Sequence, residues 1–198
     1  MEGLNLATAA TAPAVSLSEV KDHLRITGTS EDAVLLGMID AAEQYAELVT
    51  RRAFIQRTYK QTLPAFPDGG RGLLYLPMPP LISVTAVKYW DTSDPSSQAT
   101  LASEKYQVET SQEPGLVEPI VGESWPNTEA REAAVEVEFV AGYANQSDIP
   151  ASIAIAIKML AGAFYDAREA MTVVKMHDLP ASLAVDRLLE NERVQRFS

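Results

Sequence analysis

His23 and His177 are the only two imidazoles in the chain. They stand far apart, and neither lies in an HExxH or similar ligand pattern, so zinc chemistry and a histidine proton shuttle have no local support. The glycine-rich stretch DGGRG (68–72) lacks the spacing and the lysine of a phosphate-cradling P-loop. GESWP (122–126) lacks the frame of a nucleophile elbow; Trp125 suits a packing anchor and Pro126 the end of a strand. DTSD (91–94) offers Asp91 and Asp94 as oxygen ligands, without the spacing or the closing glutamate of a calcium loop. There is no cysteine, which excludes disulfides, thiolate nucleophiles and thiolate metal sites. Carboxylate pairs abound, but in an acidic chain their abundance says nothing about glycosidase-type chemistry. These residues assign no catalytic, cofactor-binding or metal role, and an enzyme is the minority reading.

The charge is the stronger signal. Over 198 residues the formal net charge is −11, with a sequence pI near 4.6. Acids crowd the middle: Glu104, Glu109, Glu113, Glu118, Glu123, Glu129, Glu132, Glu136 and Glu138, with only Lys105 and Arg131 basic between them. Non-specific DNA binding needs lysine and arginine to neutralise phosphates, so this surface repels duplex DNA. It is either a solvated, solubilising face or one that DNA passes without sticking. No uninterrupted apolar run approaches the roughly 20 residues that span a bilayer. MEGLNLATAATAPAV lacks the basic start of a signal peptide, and is expected to be a flexible or partner-ordered arm of a cytoplasmic product.

Helices are expected to flank a β-rich middle. In VSLSEV, Ser16 and Glu19 make a capping box, with Val15 and Val20 at the positions of a hydrophobic staple. That helix should run to about Arg25 and stop near Gly28. Thr29 or Ser30 then caps a longer helix in which Leu35, Met38, Ala42, Tyr45 and Val49 recur at helical spacing, widened by Val34, Ala41 and Leu48. Arg51 and Arg52 suit the negative end of its dipole. From Phe54 to Tyr143 the period becomes two, in IQRTYKQTL, LLYL, LISVTAVKYW, KYQVE and AVEVEFV. Val135, Val137 and Phe139 alternate with Glu136 and Glu138, as a sheet with one wet face requires. PMPP (77–80) must be a stiff crossing between strands.

Pro150 opens a second long helix, 150–169, that carries little charge. Ile153, Ile157, Leu160 and Phe164 form one stripe, expected to face the subunit's own core, against the earlier helix and the sheet. Ile155, Met159, Gly162 and Ala163 point elsewhere and are candidates for a subunit interface, with packing beneath the β region as the alternative. After MTVVKMHD, Pro180 opens a short helix, ASLAVDRLLENE.

In order along the chain, VSLSEVKDHLRI, LLGMIDAAEQYAE, RTYKQTLPAFP, LPMPPLISVTAVKYWD, YQVE, PGLV, GESWP, VEVEFVAGY, IPASIAIAIKMLAGAFYDARE and LPASLAVDRLL resemble the phage head–tail connector (adaptor) family over most of residues 15–190. Thr50-Arg51-Arg52 departs from the family's common Thr-Gly-Arg. The resemblance implies an α+β fold: a helical bundle from N- and C-terminal helices with an inserted antiparallel β region. It implies an arm at 1–14, a connector domain at 15–170 (helices within 16–51 and 150–169 around a β region at 54–143), and a C-terminal arm at 171–198. No catalytic residue or cofactor follows from it.

The implied role is a structural adaptor: a homo-oligomeric ring, expected to hold twelve copies, under the portal protein. It would join a head-completion or tail-side protein and leave a channel through which DNA passes unbound, in a virion or phage-like particle. Glu104, Glu109, Glu113, Glu118, Glu136 and Glu138 are candidates for an acidic channel face. Leu183, Leu188, Leu189, Arg193, Arg196 and Phe197 are candidates for contact with portal or a neighbouring subunit, on an arm that gains order on binding or packs back on its own domain. A small bacterial hydrolase with an unrecognised carboxylate site and a soluble monomeric binding protein are the alternatives from other classes.

Overall fold

The computed structural model describes residues 3–94, 96–167 and 182–194. Two compact units emerge, one helical (11–55, 144–167 and 182–194) and one built of strands (3–10 and 56–143).

In the helical unit, Ser16 starts α1 (Leu17–Leu24) as its spacing predicts. Its hydroxyl accepts the Glu19 amide at 3.3 Å, and Glu19 accepts the Ser16 amide at 2.9 Å. Val15 and Val20 are fully buried beside this box. The helix ends at Arg25, as expected, because Arg25 takes the left-handed conformation (φ 59°) and the Ile26 amide closes on the Lys21 carbonyl.

α2 (Asp32–Thr50) begins at Glu31, without a side-chain cap from Thr29 or Ser30. Glu31 instead accepts the Tyr165 hydroxyl, and Asp32 pairs with Lys21 at 2.6 Å. At its other end Arg51 stands at φ 59°, a left-handed position that ordinarily favours glycine, and its amide donates to the Glu47 carbonyl at 2.7 Å. Arg51 and Arg52 bond the carbonyls of Val194 and Glu192 at 3.5 and 2.6 Å. Two carboxylates of α2 are buried because backbone donors meet them. Glu43 accepts the Ala14 amide at 2.8 Å and Glu47 the Phe54 amide at 2.9 Å.

The under-charged segment is α3 (Ala151–Ala167). It packs on α2, on α1 and on α4 (Ser182–Glu190), burying Ile153, Ile157 and Leu160. Phe164 is only half-buried. α4 answers with Val185 and Leu189, both fully buried, while Glu192 accepts the Ser152 hydroxyl at 2.7 Å. Of the two outcomes that the sequence left open here, an arm ordered by partners or a segment packed on its own domain, residues 182–194 show the second: two apolar residues at helical spacing hold the segment on the bundle.

In the β unit, β1 (Leu4–Thr8), β2 (Arg57–Leu63), β8 (Val135–Ala141), β4 (Leu81–Trp90) and β5 (Gln98–Thr100) lie in that spatial order, every pairing antiparallel. β1 corrects the reading of residues 1–14 as a flexible arm. Leu4–Thr8 supplies an edge strand to β2, whose backbone groups would otherwise face water. Val135, Val137, Phe139 and Ala141 are buried between half-exposed neighbours, so the alternation is as written in the sequence. Tyr59 lies opposite Phe139 and stacks on it at 5.7 Å. A second antiparallel sheet joins β3 (Leu74–Tyr75), β7 (Leu116–Pro119) and β6 (Tyr106–Glu109). Pro77–Pro80 crosses between β3 and β4.

Candidate assembly surfaces

The expected interface on α3 is only partly available. Ile155 is 44% exposed, and Met159 and Ala163 are half-buried. Gly162 is not free: a Cβ there would come within 2.9 Å of Leu24 Cδ2, so α1 of the same chain already covers it. That placement corrects Gly162 as an intersubunit residue, since its missing side chain serves the α1–α3 approach.

The larger bare apolar surface is on α2. Burial follows Leu35, Ile39, Ala42 and Ala46, a stripe rotated from the expected one. Val34 and Leu48, read from the sequence as widening the core stripe, are 49% and 72% exposed, and Ala41 between them is exposed too. Their spacing of seven carried the signal. What the periodicity left unspecified was which of two apolar stripes turned inward.

On α4, Leu183 is 68% exposed and Leu188 is half-buried; Arg193, just beyond the helix, is exposed. Leu189 belongs to the bundle core and is corrected as a partner contact. Arg196 and Phe197 lie outside the described residues.

The acidic candidates separate by environment. Glu104, Glu109 and Glu113 are exposed. Hydrogen bonds from the Ser111 hydroxyl and amide hold the Glu109 carboxyl below the usual carboxylate range, which keeps it ionised. Glu136 and Glu138 flank Lys60 at 3.2 and 3.6 Å. The Glu136 hydrogen bond and charge, joined by Glu138, raise the Lys60 ammonium above its usual range. Glu118 is the clear correction. It is buried and accepts both Arg71 Nη2 at 2.5 Å and Gln107 Nε2 at 2.6 Å, so it anchors a turn instead of standing on the open surface.

Two shallow cavities of about 210 Å³ each flank Arg71, lined by the Gly69–Gly72 loop, Pro119 and Glu123. Trp125 forms the wall of one of them. It stacks on Phe66 at 4.6 Å and donates its indole N–H to the Gly72 carbonyl at 2.7 Å, the anchoring role its position suggested. Gly72 has φ 62° and lies so close that a Cβ would come within 2.8 Å of the indole nitrogen. Glu118, the buried acid of this region, is already bonded to two donors, which does not poise it for proton transfer. Among the described residues no three of His, Asp and Glu gather as a metal-ligating set, and no helix is long and apolar enough to cross a membrane.

Residues 14–78 match the family model described as phage gp6-like head-tail connector protein. No curated protein matches the sequence. Three solved chains resemble nearly all of it. One is from the neck of an empty gene transfer agent (GTA) particle computed with C6 symmetry, at 28% identity and TM-score 0.77, covering 98% of this chain and 97% of that one. Another is from the virion of a native GTA particle, at 29% identity and TM-score 0.77, covering 100% and 98%. A third is from the neck of a native GTA particle computed with C12 symmetry, at 26% identity and TM-score 0.75, covering 98% and 97%.

Proposed function

We propose that this chain is a structural head–tail adaptor of a phage or phage-derived particle, a ring subunit at the junction between a DNA-filled head and its tail. One observation carries the reading: the likeness to particle and neck subunits extends over both chains almost end to end, not over one shared element. The connector match at residues 14–78 supports it independently. Two similar necks, computed with C6 and with C12 symmetry, support cyclic assembly, and twelve copies is the number we adopt. The work of such a protein is positioning, not catalysis.

Within this role, the outer side of α4 with exposed Leu183 and half-buried Leu188, together with exposed Arg193 just beyond it, is the surface offered to the portal protein. The exposed carboxylates Glu104, Glu109 and Glu113 face the DNA passage. Both assignments are supported by exposure and charge. A head-completion or tail-side protein occupies the opposite face of the ring.

The reading is tested by removing the gene from a producing strain and imaging the particles. Filled heads and separate tails, rejoined when the gene is restored, are the expected result. Normally tailed particles in its absence would overturn it.

A further inference from the structure

We propose that neighbouring copies meet through two different helix faces: the bare face of α2 in one copy receives the bare strip of α3 in the next. This rests on the adaptor reading above and assigns its ring contact.

The first half of the contact is unusual for a surface helix, whose outer face ordinarily carries charge. The exposed positions of α2 are Ala33, Val34, Leu36, Gly37, Asp40, Ala41, Gln44 and Leu48, and only Asp40 among them is ionised. Val34, Ala41 and Leu48 fall on one line along the helix, because seven residues make almost two turns. Gly37 forms an open floor in this line; a Cβ built there meets nothing within 4 Å.

The second half is the strip of α3 that α1 leaves uncovered. Ala151 and Ile155 are exposed and Met159 is half-buried, each four residues from the next. Ile155 and Met159 project where Gly37 and Ala41 recede, which is the complementarity of a ridge and a groove. Charge agrees as well. Asp40 is the charge of the α2 face, and Lys158, half-buried, stands next to Met159 on α3, where its charge also acts on Glu19 of its own α1.

Direction selects a second copy as the occupant. α2 and α3 pack on each other through their buried stripes, so their bare faces look away from one another. A cyclic ring needs such a pair of unlike surfaces on opposite sides of each subunit, since its contacts are heterologous. The C6 and C12 symmetries of the similar necks are cyclic.

The chain contains no cysteine, so an introduced pair is unambiguous. Val34→Cys, Ala41→Cys and Leu48→Cys are each combined with Ile155→Cys in the full chain and expressed in producing cells. Assembled particles are then oxidised mildly. Disulfides form only where Cα atoms approach within about 7 Å. At least one combination is expected to give a ladder of linked multimers on a non-reducing gel, and each single variant none. In a second arm, Asp40→Lys and Lys158→Asp, both checked for an unchanged melt, should each cut incorporation into particles by about tenfold, and together restore it. Protein present in necks without a ladder from any combination, or with links inside one copy only, overturns the contact alone. So does failure of the charge exchange to restore incorporation. Protein absent from necks altogether overturns the adaptor reading first.

Discussion

Leu160 and Glu19 represent the two kinds of residue on which the helical unit depends. Leu160 is 2% exposed within the α2–α3 packing. Leu160→Ala should therefore cost about 2–5 kcal/mol of fold stability, the range for large-to-small core changes. A thermal melt of the isolated chain reads it. Glu19 acts through charge and geometry. Hydrogen bonds from the Ser16 hydroxyl and amide hold its carboxyl below the usual glutamate range. A depressed folded-state value contributes stability that is present above the unfolded value and lost as pH falls through the folded one. Ser16→Ala should cost about 1 kcal/mol at neutral pH. The gap between variant and parent should narrow as pH falls below the glutamate range, and melts from pH 7 to pH 3 would show it. Ser16 and Glu19 were legible because a capping box is a local pattern of fixed spacing. Glu118 was not. Its burial depends on Arg71 and Gln107, residues brought to it by a loop and by the adjacent strand β6.

Elements show the same division between local and distant causes. The alternation in AVEVEFV is self-contained, so β8 was readable; β1 was not, because LNLAT alternates only over Leu4-Asn5-Leu6 and buries no face, too little to distinguish an edge strand from an arm. Only pairing with β2 defines it. α2 has two apolar stripes, and periodicity cannot say which one is wet. α4 is the element for which the sequence left two outcomes open, undocked arm or packed helix. With Val185 and Leu189 fully buried, Leu189→Ala should lower bundle stability by about 2–5 kcal/mol. Truncation after Ala167 should lower the melting temperature further, because the partners of Arg51, Arg52 and Ser152 leave with α4. A truncated chain that melts with the parent would show that α4 adds nothing to the bundle. Leu183 separates stability from partner binding: it is exposed, so Leu183→Ala should leave the melt unchanged.

At the scale of the whole molecule the governing quantity is charge. A chain with net charge −11 should not retain duplex DNA at physiological salt, and what a DNA passage requires is weak contact, not recognition. Glu104, Glu109 and Glu113 are exposed within a few residues of β6, and none of them lies in a buried core. Replacing all three by lysine therefore exchanges a repelling patch for an attracting one with little effect on folding. The triple variant should melt within about 1 kcal/mol of the parent and still enter particles. If the patch faces the passage, each lysine adds a phosphate contact along the moving duplex, and the contacts recur with every copy in the ring. DNA delivery by the variant particles should then fall, and the deficit should shrink as salt rises, because counterion screening weakens phosphate contacts steeply. Delivery assays at two salt concentrations make the comparison. Normal delivery from particles shown to contain the variant would place these glutamates away from the DNA and leave them the simpler task of keeping the surface hydrated.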